Sequence, residues 1–82
     1  MNARETRIAK RILDHLHENQ GQHHVISIHA EIGGMAFCSA AEFDAALTEL
    51  DSLRFVTGVK SDFKGVLWKI NAAGEAARLE MR

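Results

Sequence analysis

The stretch SAAEFDAALTELDSLRFVTGVKSDFKGVLWKINAAGEAARL, residues 39–79, decides the fold. Ser39-Ala40-Ala41-Glu42 fits a capping box: the Ser39 hydroxyl accepts from the backbone amide three residues on, and the Glu42 carboxylate reaches back to the cap amide. Phe43, Ala46, Leu47, Leu50 and Leu53 then recur at offsets of three and four, so a helix with one apolar face starts here and ends near Arg54. Residues 55–59 and 66–70 are rich in β-branched and aromatic side chains, and residues 60–65 supply Ser, Asp and Gly for a hairpin loop. Asn71 caps a last helix over residues 72–80, whose Ala73, Ala76 and Ala77 are small enough to pack closely on another element.

Upstream, Ile8, Ile12, Leu13 and Leu16, with Ala9 beside them, lay an apolar stripe on a first helix over residues 3–18 that Gly21 ends. Its outer side carries Arg4, Arg7, Lys10 and Arg11, with Asp14 and Glu18 nearer its end. Residues 25–28 are β-prone and read equally as a strand or a helix start. Ile28, Ile32 and Met35 line one side of a helix of about two turns capped by Ser27, and Gly33-Gly34 stops it, since each glycine costs roughly 1 kcal/mol in a helix interior. A short second helix followed by a turn is the reading adopted. The order is helix, helix, helix, hairpin, helix.

The chain's 82 residues leave room for a single domain, 1–82, with a modest core. A hydrophobic fraction of 46% with 26% charged residues is that of a soluble globular protein. Ten basic and eleven acidic side chains give a net charge of -1, so the molecule as a whole exerts no long-range pull on phosphate, and any nucleic-acid contact must come from local patches. Cys38, the single cysteine, forms no internal disulfide, and no apolar segment has membrane-spanning or signal-peptide length. The expectation is a cytoplasmic protein that does not engage a membrane.

Phe43 through Val56 is similar to the third helix and first wing strand of the winged helix-turn-helix superfamily, and Leu67-Trp68-Lys69-Ile70-Asn71-Ala72-Ala73-Gly74 to its second strand turning into a closing helix. The resemblance covers nearly the whole chain and is to the superfamily's pattern rather than to one family. It implies an α+β fold: a three-helix bundle with a C-terminal two-stranded β-hairpin wing and a short closing helix. It also implies a small DNA-binding regulator of the prokaryotic or phage type, controlling transcription or a mobile element's genes. In that superfamily the third helix enters the major groove, the wing touches backbone or minor groove, and many members dimerise through terminal helices.

On these grounds the nucleic-acid candidates are Ser39, Ala40, Ala41 and Thr48 of the third helix, Lys60 and Lys64 of the wing, and Arg4 and Arg7 of the first helix. Lys69 follows the wing, and Phe63 sits near its tip. Contacts from so few cations imply weak, strongly salt-dependent binding. The third helix departs from the pattern. Its exposed centre is Ala41, Ala45, Thr48 and Ser52, flanked by Glu42 and Glu49 on one side and Asp44 and Asp51 on the other, with no Lys, Arg, Asn or Gln. Base readout and phosphate contact draw on those absent side chains. The alternative is therefore a protein-interaction module for a protein partner or a homodimer, using either the Ala-rich last helix or the stripe Ala41, Ala45, Thr48 and Ser52, which admits another helix or a flat protein surface while the acidic rims select a basic partner. A plain solvated face is the simplest account of each of these surfaces.

His15, His17, His23, His24 and His29 lack the spacing of a metal site: there is no CxxC or HxxxH pair. Cys38 carries no nucleophile signature, and Gly33-Gly34 lacks the lysine of a phosphate-cradling loop. The expectations are no catalysis, no metal, no cofactor and no small-molecule substrate.

Overall fold

A computed structural model describes residues 2–63 and 65–81. Its elements are α1 (Ala3–Glu18), β1 (His23–His24), α2 (Val25–Glu31), a 3-10 turn (Gly34–Ala36), α3 (Ala40–Ser52), β2 (Val56–Ser61), β3 (Gly65–Ile70) and α4 (Ala72–Glu80). The fold is α+β, four helices with a three-stranded antiparallel sheet in the order β1-β3-β2.

Each helix begins at a side-chain cap that satisfies an otherwise orphaned amide. Asn2 accepts from the Glu5 amide, Ser39 from Glu42 and Asn71 from Gly74. The expected Ser27 cap is not used. His24 caps α2 instead, its Nδ1 accepting from the Ile26 amide at 3.2 Å, because residues 23–24 are held extended by β3 and the helix starts as soon as that pairing ends. The hairpin is accordingly not a two-stranded ribbon: His23 pairs with Trp68 and His24 with Leu67.

The core gathers Ile8, Ile12, Leu13 and Leu16 of α1, Ile28 of α2, Ile32 just after it, and Phe43, Ala46, Leu47 and Leu50 of α3. Val56 and Ile70, paired across β2 and β3, close it from the sheet side. Met35 and Leu53, both expected on apolar faces, are exposed. Leu53 is the first residue after α3, which stops at Ser52, and Met35 sits in the 3-10 turn four residues beyond the end of α2 at Glu31.

Two backbone details set the C-terminal half. Arg54 takes a positive φ of 62° after α3, with the Phe55 amide bonded to the Leu50 carbonyl (2.9 Å) and the Arg54 amide to that of Asp51 (3.0 Å), which is the Schellman pattern of a helix stop. In α4 the close approach is made by Gly74, not by the alanines: a Cβ there would lie 2.0 Å from the Phe55 carbonyl oxygen. Ala73 and Ala76 are exposed.

Candidate functional site

The surface that could recognise a partner is built around α3. The capping box is complete, with the Ser39 hydroxyl accepting from the Glu42 amide (3.1 Å) and the Ser39 amide donating to Glu42 Oε1 (3.0 Å). A third partner reaches the same carboxylate from 38 residues away: the Arg4 guanidinium donates from Nε to Oε2 and from Nη2 to Oε1, the latter at 3.1 Å. The hydrogen bonds from Arg4 and from the Ser39 amide hold the Glu42 carboxyl down at about 2. Arg4 and Ser39, both nucleic-acid candidates, are thus brought to one corner, with the arginine's charge matched by Glu42.

The rest of the basic side of α1 is also engaged by its own chain. Lys10 Nζ and Arg78 Nη1 both donate to Asp14, at 2.9 and 3.2 Å. Burial alone would raise the Asp14 carboxyl, and these hydrogen bonds outweigh it, leaving it below its ordinary value. The guanidinium carbons of Arg7 and Arg11 stand 5.7 and 5.0 Å from the centroid of the Phe37 ring, a cation–π arrangement that keeps their charge but fixes their place, and Arg11 also donates to the Ile32 carbonyl.

Along α3 itself, Ala41, Ala45, Thr48 and Ser52 are all exposed, as are Asp44 and Asp51, while Glu42 and Glu49 are half-buried. The hairpin supplies Lys60 and Lys69, both exposed, and Phe63, which is 97% exposed. Because side chains alternate along a strand, the pairings Lys60 with Val66 and Thr57 with Lys69 put the two lysines on opposite faces of the ribbon, so they do not form one phosphate-binding strip. Lys64, the other wing candidate, lies outside the described residues.

Between α3 and β3 runs a groove of about 410 Å³, lined by His24, Val25, Asp44, Leu47, Thr48, Asp51, Val66 and Trp68. A second hollow along α2, lined by Val25, Ile26 and Asp44 among others, adjoins it. Glycine at position 58 lets two of the lining side chains lie across the hairpin: a Cβ there would stand 2.8 Å from Val66 Cγ1 and 3.0 Å from Trp68 Cζ3, in the space the indole occupies. The sequence signal for this was Gly58 inside a β-prone run, directly opposite Trp68, a position where a ring can cover bare backbone.

The histidines serve local structure. His29 stacks on Phe43 and its Nε2 lies 2.9 Å from the Cys38 carbonyl, His17 meets Glu75 at 2.9 Å, and His24 caps α2. His15 and His23 face each other with ring centroids 5.7 Å apart, and burial followed by the neighbouring His23 lowers the His15 pKa. Among the described residues no three His, Cys, Asp or Glu side chains converge on one point. Cys38 is buried, and that burial pushes its thiol pKa up. No helix among the described residues is long and apolar enough to cross a membrane.

No family model matches the chain, and no curated protein or solved structure is significantly similar to it.

Proposed function

We propose that this chain is a winged-helix domain that recognises a protein rather than a base sequence. The winged-helix reading rests on element order: three helices, a hairpin, a closing helix, and a short strand after the first helix that joins the hairpin's edge. The reading of its function rests on one observation, the make-up of α3. The exposed strip Ala41, Ala45, Thr48 and Ser52 lies between four carboxylates, and Arg4, the cation that meets the helix's first turn, is committed to Glu42.

Presented to a duplex, this face would bring carboxylates against phosphates, with no Lys or Arg to neutralise charge and no Arg, Lys, Asn or Gln to read a base edge bidentately. Presented to a protein, the small side chains admit close contact and the carboxylates select a basic surface.

Exposed Phe63 and Lys60 favour a second reading, the small DNA-binding regulator, in which the hairpin carries the contact. Titrating isotope-labelled protein with a random-sequence duplex at low and then moderate salt separates the two. Protein recognition predicts no amide shifts on α3 at either salt. Salt-dependent shifts at Lys60, alone or together with Ser39 to Ala41, overturn it in favour of DNA.

A further inference from the structure

We infer that the groove between α3 and β3 is the docking site for a cationic amphipathic helix of a partner protein. This deepens the reading of the domain as a protein-recognition module and rests on it. The floor is apolar and open: Trp68 is half-buried, Val66 is 36% exposed, and Val25 leads on to Ile26, which is 72% exposed. A partner's apolar face laid along the groove would remove these side chains from water.

The wall chooses the partner's charge. Asp44 and Asp51 both line the groove, and among the described residues neither has a cation within ion-pair distance; the ion pairs formed are Arg4–Glu42, Lys10–Asp14 and Arg78–Asp14. Lys60 neighbours Val66 across the hairpin but lies outside the lining. Asp51 also stands in the last turn of α3, where the helix's own partial negative charge adds to the attraction for a cation.

The spacing chooses the partner's shape. Asp44 and Asp51 are seven residues apart on one helix, about 10.5 Å at 1.5 Å per residue. A partner helix with lysine or arginine at positions seven apart presents two cations at the same separation, with its apolar stripe turned to Trp68 and Val66. Helix-in-groove recognition then supplies the area, and the paired charges set the register.

The test is selection of binders from a library of random 20-residue peptides displayed on phage, followed by NMR mapping and titration of synthetic copies of the enriched sequences. The expected result is enrichment of peptides with an apolar stripe and basic residues seven apart. They should shift the amides of Asp44, Thr48, Asp51, Val66 and Trp68, and bind tenfold or more weakly to the double variant D44N/D51N and at high salt. Both aspartates are exposed, so the variant should keep the wild-type amide spectrum elsewhere; Val66→Lys, which puts on the floor a charge of the same sign as the peptide's, gives a second check through the same loss.

Enriched peptides that lack cations, or that bind the double variant as tightly as wild type, overturn the inference. Peptides that map instead to α4 or to the Lys60–Phe63 end of the hairpin overturn the groove while leaving protein recognition standing. Failure to enrich any peptide overturns the inference, and failure together with salt-dependent duplex binding at the hairpin overturns the underlying reading as well.

Discussion

Glu42 shows how much one side chain does in a small domain. Its carboxylate receives the Ser39 amide and two nitrogens of Arg4, and so closes the α3 cap and ties α1 to it at once. A carboxyl held at about 2 in the folded state, against an ordinary 4.5, contributes stability that is fully present above about pH 4.5 and is lost as pH falls from there towards 2. Glu42→Gln is therefore expected to be less stable than wild type at neutral pH, with the gap closing as acid protonates the wild-type carboxyl. Urea unfolding at several pH values between 2 and 7 checks this, and a gap independent of pH would refute the assignment. The Ser39–Glu42 half of the arrangement was legible in the sequence because a capping box is a local code. The Arg4 half was not, since nothing in a linear pattern marks a pair 38 residues apart.

At the scale of elements, α1 and α4 fall where periodicity and capping residues put them, at residues 3–18 and 72–80, because both signals are local. β1 escaped because two residues carry no alternation to read, and their extended form is imposed by Trp68 and Leu67 of a strand more than forty positions away. The stop of α3 is the element most open to improvement. Arg54 occupies the left-handed region that glycine tolerates without strain, which costs an ordinary residue about 1–2 kcal/mol. Arg54→Gly removes that cost and adds back some entropy to the unfolded chain, for an expected net gain of about 0.5–1 kcal/mol. A thermal melt should rise by roughly 2–8 °C. A fall would mean that the Arg54 side chain does more for the fold than its backbone strain takes away.

For the whole molecule the deciding contact is the seat of α4. His17–Glu75 and Asp14–Arg78 pair α4 with α1, while Gly74 lies against the Phe55 carbonyl at the entrance to β2. The alanine-rich sequence pointed to close packing, and Ala77 is half-buried, but Ala73 and Ala76 are exposed and the closest approach falls at Gly74, because helix propensity ranks alanine above glycine and says nothing of a backbone oxygen on the far side. In an open helix Gly→Ala stabilises by about 1 kcal/mol. Gly74→Ala is expected to do the reverse, losing about 1–3 kcal/mol through overpacking, which a fall in Tm of roughly 5–20 °C would register. An unchanged Tm would show that α4 can tilt away at no cost.

The glycine at position 58 has a consequence for how the protein is studied. It lets the ring of Trp68 lie over the hairpin beside Asp44 and Asp51, and Trp68 is the chain's single tryptophan in a sequence without tyrosine. The native emission of the domain therefore comes from one indole in the wall of the candidate groove. An apolar side chain seated against it would shift that emission to the blue, giving an optical readout of occupancy with no label attached.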